Sequence, residues 1–254
     1  NCKETFKTTL TETRFDLSKS LWDVYYDTED SKLKPWTDIV RPFVYRRDES
    51  FSNMIVPTVD TIRFGSVMTY LLEINHPVLL TGQTGVGKSV IAKEVLDNLF
   101  KTGLWVPTTL NFSAQTSSMR TQEMIESKLE KKKRTVLGAP IGKRVVVFVD
   151  DVNMPKLEVY GAQPPIELLR QFLDFGGLYD RDRLFWKKLQ NVVLCAGCAP
   201  PGGGRNPLTP RFVRHFGMLY IPSPSEAALR VIFKSIIQGF FNFFGNAIQA
   251  LSDG

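Results

Sequence analysis

Residues 82–89 read Gly-Gln-Thr-Gly-Val-Gly-Lys-Ser, which is a glycine, four further residues and then Gly-Lys-Ser. This is the phosphate-loop pattern, in which glycines let backbone N–H groups converge on phosphate oxygens at the start of a helix. The flanking sequence supplies both required elements, because residues 77–80 form a short apolar strand and residues 88–100 have helical periodicity. An ordinary glycine turn is the alternative, and the flanking strand and helix favour phosphate binding over it.

Two side chains of the loop have specific predicted roles. Lys88 is expected to reach the β- and γ-phosphates of ATP or ADP, and the Ser89 hydroxyl is expected to bind Mg²⁺. The predicted nucleotide-binding residues of the loop are Gly82, Gln83, Thr84, Gly85, Val86, Gly87, Lys88, Ser89 and Val90.

Asp150 and Asp151 follow the apolar run 145–149, Val-Val-Val-Phe-Val. Such a β-branched run predicts a buried parallel strand. In phosphate-loop proteins a carboxylate at the end of this strand holds Mg²⁺, and the next acid can orient the attacking water. We therefore assign Asp150 to Mg²⁺, through the metal's water shell, and Asp151 to the water. Paired acids that merely end a strand are the alternative, which the phosphate loop disfavours.

Strand and helix patterns alternate along the rest of the chain and predict an α/β fold, a doubly wound and mostly parallel sheet. We expect a lead-in segment over 1–55 packed on the module, a large α/β nucleotide-binding subdomain over 56–224, and the start of a helical lid over 225–254. The predicted helices are 61–74, 121–133, 165–175 and 225–244, the last with Ser225 as N-cap; the predicted strands are a second strand edge over 111–114, a hairpin over 178–188, and strands over 192–195 and 218–221. The lead-in has little periodicity, and its aromatic residues are expected to anchor short helices.

Composition limits the classes of function. The chain has 254 residues, 43% of them hydrophobic and 23% charged, which is an ordinary globular composition. The net charge of +6 is spread along the chain, so it does not by itself predict a nucleic-acid partner. Three cysteines are too few for a disulfide framework and favour a reducing compartment, the cytoplasm. No apolar run reaches the length of a membrane span. The chain begins with Asn1, and we expect it to be a fragment of a longer protein.

Three other patterns are given structural interpretations. Cys195 and Cys198 have C-x-x-C spacing but lack the helix start or the further ligands that redox or zinc sites need. The basic run 131–134 is interpreted as a solvated helix end, and the phenylalanines of 240–244 as part of a lid helix. We expect neither nucleic acid nor membrane as a partner.

The order of the phosphate loop, the acidic strand end, a further strand and the segment 208–216, Leu-Thr-Pro-Arg-Phe-Val-Arg-His-Phe, resembles an AAA+ ATPase. Four further passages resemble the third AAA+ module of dynein heavy chains, and the last of them resembles the axonemal class. These are Val-Pro-Thr-Val-Asp-Thr at 56–61, Val-Asp-Asp-Val-Asn-Met-Pro at 149–155, Leu-Arg-Gln-Phe with Asp-Phe-Gly-Gly-Leu-Tyr at 169–179, and Ala-Pro-Pro-Gly-Gly-Gly-Arg-Asn at 199–206. The resemblance extends from about residue 10 to residue 240.

The resemblance implies one of six modules in a single-chain ring, with the neighbouring AAA+ modules as partners. It also implies intermediate chains, light chains and microtubules as partners of the whole protein, in the axoneme of cilia and flagella. In this family Val56, Pro57 and Thr58 would lie against the adenine, and Arg211, or alternatively Arg214, would face the neighbouring module's nucleotide as a finger.

Two departures from the family pattern predict slow hydrolysis in a regulatory module. Asp151 replaces the usual Glu, and Cys198-Ala199-Pro200 replaces the usual polar sensor. The alternatives are a remodelling ATPase similar to MoxR or midasin, and a structural ring module locked on ADP.

Overall fold

The computed structural model describes residues 20–27, 29–46 and 54–242. The chain divides into two compact units, residues 1–63 with 226–254, and residues 64–225.

The first unit begins with two single-turn helices and a hairpin. A 3-10 helix over Leu21–Asp23 is capped by the Ser20 hydroxyl, which accepts from the Trp22 N–H at 3.2 Å. Strands β1 (Val24–Asp27) and β2 (Lys32–Pro35) pair antiparallel, and a second 3-10 helix over Trp36–Ile39 follows. Trp36 is buried, and its ring lies 5.0 Å from that of Tyr25. The short helices were predicted and Trp36 is a buried aromatic anchor, whereas Trp22 and Tyr26 are exposed and the hairpin was not predicted. Residues 1–19 lie outside the described part of the chain.

The second unit contains most of the regular elements. Helix α1 (Val59–Glu73) begins in the first unit and ends in the second, where Phe64, Met68 and Leu72 form its buried stripe. The following elements are β3 (Val78–Thr81), α2 (Lys88–Lys101), β4 (Trp105–Asn111), α3 (Ser118–Glu126), β5 (Glu130–Lys133), β6 (Val136–Gly138), β7 (Arg144–Asp150), α4 (Pro164–Phe175), β8 (Gly177–Tyr179), β9 (Trp186–Gln190), β10 (Val192–Cys198), α5 (Pro210–Val213) and β11 (Gly217–Tyr220).

A five-stranded sheet in the order β11-β3-β10-β7-β4 forms the centre of this unit. All its pairings are parallel, which confirms the predicted α/β fold. Successive side chains of β7 point to opposite faces, so Val145, Val147 and Val149 pack in one core cluster and Val146 and Phe148 pack in the other. Burial on both faces explains why the run contains no polar residue.

The predicted strand edge over 111–114 is wrong in position, since β4 covers Trp105–Asn111. Its sequence, Trp-Val-Pro-Thr-Thr-Leu-Asn, was missed because Pro107 and two threonines interrupt the apolar pattern. A proline is tolerated in β4 because this is the edge strand of the sheet.

The predicted helix over 121–133 is also wrong at its end, and the basic run is not a helix end. Helix α3 stops at Glu126, and residues 130–133 form strand β5, which pairs antiparallel with β6. Lysine and glutamate are good helix formers and no glycine or proline lies before Gly138, so the sequence offered no stop signal. Pairing with β6 in a second sheet, of order β5-β6-β9-β8, overrides that local preference.

Other predicted elements are confirmed. The hairpin over 178–188 is the antiparallel pair β8 and β9, and Gly176 ends α4 in a left-handed conformation with φ 68°. Helix α6 (Glu226–Phe241) belongs to the first unit and has no buried residue. Asn242 is a turn residue, residues 243–244 of the predicted helix lie outside the described residues, and the lid subdomain stays a prediction. None of the described helices is long and apolar enough to cross a membrane.

Candidate functional site

The phosphate-loop sequence occupies the connection between β3 and α2. Gly87 is the residue before α2 and has φ 94°, and Gly85 has φ 85°. A Cβ at either position would meet no atom within 4 Å, so glycine is needed there for its backbone conformation and not for space. The first amide groups of α2 have no partner within the helix and form a general anion-binding end.

Gly82 is needed for a different reason. A Cβ at this position would overlap the carbonyl oxygen of Ile221, just after β11. The Ile221 N–H donates to the Thr81 carbonyl at 2.7 Å. The start of the loop is therefore packed tightly against the end of the neighbouring strand.

Lys88 is buried within its own loop, with 8% of its surface exposed. Its Nζ donates to the carbonyl oxygens of Gly82 and Gln83, at 2.9 and 2.7 Å. Burial lowers the pKa of Lys88, and the negative charges of Asp151 and Asp150 act in the opposite direction. The ammonium and both carboxylates therefore lie in one electrostatic environment. Gln83, Thr84, Ser89 and Val90 are exposed, and Val86 packs against the core.

The two aspartates lie at the carboxyl end of β7, and the backbone differs between them. Asp150 ends the strand, and its Oδ1 accepts from the Asp151 N–H at 3.0 Å. A Cβ on Gly197 of β10 would lie 3.1 Å from Asp150 Oδ1, so this glycine leaves room for the carboxylate. Asp151 has φ 49°, a left-handed conformation that Asp tolerates better than Glu. This backbone gives a local physical reason for Asp at position 151.

Arg205 lies beside Asp151, and the sequence analysis did not identify it as a candidate site residue. Its Nη2 and Nε lie 3.3 and 3.4 Å from Asp151 Oδ1. Arg205 belongs to the glycine-rich passage 199–206, to which the sequence analysis assigned a family resemblance but no role in the site. Its sequence signal is that it is the single charged residue in a passage made mostly of glycine and proline.

A family model described as the P-loop containing dynein motor region matches residues 43–224. The chain belongs to this family. It is 56% identical over 238 residues to human dynein axonemal heavy chain 6, covering 94% of this chain and 6% of that protein. It is 44% identical over 204 residues to human dynein axonemal heavy chain 1, covering 80% of this chain and 5% of the relative.

A third relative is a flagellar dynein heavy chain. The chain is 37% identical over 221 residues to the dynein-1-alpha heavy chain of the flagellar inner arm I1 complex of Chlamydomonas reinhardtii, covering 87% of this chain and 5% of the relative. The chain thus spans a small part of each relative. Membership of the dynein family excludes the remodelling ATPase alternative.

Two passages of the dynein pattern that are distant in sequence meet at the aspartates. Asn153 is buried, and its Nδ2 donates to the carbonyls of Ala199 and Asn206 at 2.8 and 3.1 Å. The Asn206 N–H donates back to the Asn153 carbonyl at 2.9 Å. Asn153 therefore holds the aspartate turn against the segment that bears Arg205.

The sensor position of this dynein module has no amide side chain. Cys198 ends β10, in register with Thr81, the residue before the phosphate loop. Burial raises the pKa of the Cys198 thiol, while a hydrogen bond with Thr81 and the charge of Lys88 act in the opposite direction. Cys195 is fully buried, which raises the pKa of its thiol as well. Ala199 is buried and offers only its backbone carbonyl, which Asn153 occupies.

The two finger candidates of the dynein pattern have different surroundings. Arg214 Nη2 donates to Asp174 Oδ1 at 2.7 Å, and His215 Nε2 lies 3.0 Å from the same oxygen. Arg211, on α5, is exposed and makes no ion pair within the described part of the chain. The geometry therefore leaves Arg211 available and engages Arg214 within the module.

Val56, Pro57 and Thr58 belong to the first unit, so their contact with adenine stays a prediction. Thr58 precedes α1, where its hydroxyl accepts from the Thr61 N–H at 3.2 Å and its own N–H donates to the Thr61 hydroxyl at 2.8 Å. This reciprocal pair stabilises the start of the helix in the manner of a capping box.

Asp174 gives this module a pH-dependent contact between α4 and α5. The hydrogen bond from Arg214 is the main cause that lowers the pKa of Asp174, and Arg170 adds a second bond at 2.6 Å. Because the folded pKa is depressed, the stabilisation is present above the ordinary pKa of 3.8 and is lost as pH falls through the folded value. Asp174→Asn is therefore expected to lower the midpoint of urea unfolding at pH 7 and to lower it by less at pH 3, below the ordinary value.

The matched control for Asp174→Asn is Asp97→Asn, at an exposed aspartate of α2 that makes no ion pair within the described residues. This control is expected to leave the midpoint unchanged at both pH values. An equal loss for Asp174→Asn at neutral and acidic pH would show that the ion pairs are not its cause.

Proposed function

We propose that this chain is the third AAA+ module of an axonemal dynein heavy chain and that it regulates the main motor module. In this proposal it binds Mg-ATP or Mg-ADP at residues 82–90 and hydrolyses ATP slowly. The observation that supports it most is the position of Lys88, buried at the start of α2 and within the electrostatic reach of Asp150 and Asp151. These groups gather at the carboxyl edge of the parallel sheet, where ligands bind in open α/β folds.

The residues present suit a magnesium nucleotide. Gly85 and Gly87 leave open space on the side where a Cβ would lie, so backbone amides can approach phosphate oxygens. Lys88 would neutralise phosphate charge, and Ser89 and Asp150 would hold Mg²⁺. Among the described residues no three His, Cys, Asp or Glu side chains converge as a metal site. This is the usual situation for Mg²⁺, which takes most of its ligands from water and substrate phosphates. The metal would supply neutralisation of the charge that develops on the phosphates.

Asp151 is the proposed water-orienting residue, and Arg205 is proposed to restrict the movement of its carboxylate. The carboxylate is paired with Arg205 at 3.3 Å and its backbone is fixed in the left-handed conformation. A carboxylate held in this way is less free to orient water, so this pairing supports the proposal of slow hydrolysis, as does the shorter side chain.

Arg205→Ala is therefore expected to raise the single-turnover rate of ATP hydrolysis by roughly tenfold, a fraction of what a well-placed acid–base group contributes. The affinity for Mg-ADP is expected to stay within about twofold, because Arg205 is not assigned to the phosphates. Arg205→Lys keeps the charge and is expected to stay near the wild-type rate. A slower Arg205→Ala variant with unchanged ADP affinity would mean that Arg205 assists the reaction.

A structural module locked on ADP is the second candidate, and the engaged state of Asp151 favours it. The two candidates differ in whether bound ADP exchanges with free nucleotide. A regulatory module releases bound fluorescent ADP when unlabelled ATP is added and converts ATP to ADP over repeated turnovers. A locked module retains the label and shows no turnover, even when the neighbouring module is present to supply its arginine.

The wider role is proposed from the relatives, whose names describe them as axonemal or flagellar. The chain would lie in a six-module ring with neighbouring AAA+ modules, in a protein that also binds intermediate chains, light chains and microtubules in the axoneme. Arg211 would reach the neighbouring module's nucleotide. In the heavy chain that contains this module, Arg211→Ala is expected to slow microtubule gliding, whereas Arg120→Ala, at another exposed arginine, is expected to have no effect. Equal gliding speeds for the two variants would contradict the finger assignment.

A further inference from the structure

The sheet β5-β6-β9-β8 has one face toward the core and one face toward solvent. On the inner face Leu178 and Leu189 are buried. Residues in register across a sheet share a face and alternate along each strand. Trp186 pairs with Tyr179, and Lys188 pairs with Val136, which in turn pairs with Lys133. These residues alternate with the buried ones and therefore form the outer face.

One half of the outer face is aromatic. The Trp186 ring lies over Gly177, because a Cβ there would come within 2.7 Å of Trp186 Cζ2. The rings of Tyr179 and Phe175 meet it edge-on, with centroids 4.9 and 6.5 Å away. Tyr179 is 53% exposed and Phe175 is 70% exposed. Trp186 is half-buried between them. A partly exposed cluster of three aromatic rings is typical of binding surfaces.

The other half is basic. Lys132 extends over Gly138, where a Cβ would lie 3.3 Å from Lys132 Cγ, and it is paired with Glu130 at 2.8 Å. Lys133 and Lys188 are exposed and make no ion pair within residues 20–27, 29–46 and 54–242. The outer face therefore has an excess of positive charge beside the aromatic cluster.

The sheet is firmly attached on its inner side. The Lys187 ammonium lies 2.7 Å from Glu126 of α3 and 3.3 Å from Asp180. Arg181 Nε donates to Gln122 of α3 at 2.9 Å. Substitutions on the outer face leave these contacts in place, so they can test binding without removing the support of the sheet.

We propose that this aromatic–basic face, formed by Phe175, Tyr179, Trp186, Lys132, Lys133 and Lys188, binds an acidic segment of a partner protein that also bears an aromatic or aliphatic side chain. The charge of the face selects carboxylates, and the cluster of rings takes up an apolar side chain. A second copy of this chain is disfavoured because the chain itself has a net charge of +6. Single-stranded nucleic acid is disfavoured because the rings meet edge-on, at 75° and 81°, and present no parallel planes on which bases stack.

The test is fluorescence anisotropy with a labelled glutamate-rich peptide that has one central phenylalanine. The wild-type chain is expected to bind it, and the double variant Lys133→Glu with Lys188→Glu is expected to bind about tenfold more weakly. Tyr179→Ala is expected to weaken binding at every salt concentration, because its contribution is apolar. The control with the same change in charge is Lys101→Glu with Lys143→Glu, at exposed lysines outside the face.

The expected pattern is loss of binding in the face variants, wild-type binding in the control, and no binding of the same peptide with glutamine in place of glutamate. Equal weakening in the face and control variants would overturn the proposal, since it would indicate attraction by overall charge. No binding by the wild type, or tighter binding of a single-stranded RNA of equal length, would also overturn it.

Discussion

Replacing Lys88 with alanine is expected to weaken Mg-ATP binding by roughly a hundredfold or more, about 2.7 kcal/mol, since a hydrogen bond to a charged group contributes about 1.5–3 kcal/mol and this ammonium would make more than one. Lys88 lies at the first turn of α2 with its ammonium directed into the loop, where it now donates to two loop carbonyls. Transfer of those donors to phosphate oxygens would form charge-assisted bonds.

Fluorescent nucleotide titration measures this effect, with Lys101→Ala as the matched control. Lys101 is the last residue of the same helix and is exposed, so its loss is expected to leave the affinity unchanged. Far-ultraviolet circular dichroism of each variant separates a binding defect from a folding defect. A folded Lys88→Ala variant with an affinity within threefold of the wild type would remove Lys88 from the phosphate site.

Phe212→Ala is expected to lower the free energy of unfolding by about 3–5 kcal/mol, the usual cost of removing a large aromatic side chain from a core. Phe212 is 0% exposed, and its ring packs 4.9 Å from that of Phe216. It attaches α5, the short helix that bears Arg211, to the core. Phe212 belongs to the same buried cluster as residues of β7, β10 and α4.

Urea unfolding measures this loss, and Phe100→Ala is the control with the same change in side chain. Phe100 is 62% exposed on α2, so its replacement is expected to cost well under about 1 kcal/mol. If Phe212→Ala costs no more than Phe100→Ala, the position of α5 does not depend on this ring.

The parts of the fold that could be predicted were those with strong local patterns. Strand β7 is apolar at every position from 145 to 149 because both faces of the sheet are covered there, and the end of α4 is marked by Gly176. The parts that could not be predicted depend on pairing between distant residues. Strand β4 contains Pro107 and is recognisable only as an edge strand, and β5 is a run of helix-forming residues that becomes a strand by pairing with β6.

The same distinction applies to the site. Lys88, Asp150 and Asp151 could be assigned because strand, loop and acid order follow from consecutive sequence. Arg205 could not be assigned, because it is 54 positions from Asp151 and the two meet only through the fold. Gly197 could not be singled out either, because its closeness to the Asp150 carboxylate arises only from the pairing of β10 with β7. The contact that engages Arg214 could not be predicted either, because Arg214 and Asp174 are 40 positions apart and meet only through the fold.

The most direct test of nucleotide binding is calorimetric titration of the wild-type chain with Mg-ADP and Mg-ATP. Saturable binding of one nucleotide per chain, lost in Lys88→Ala and retained in Lys101→Ala, is the predicted result. A folded wild-type chain that binds neither nucleotide, together with a longer stretch of the heavy chain that also fails to bind at this module, would contradict the proposed site.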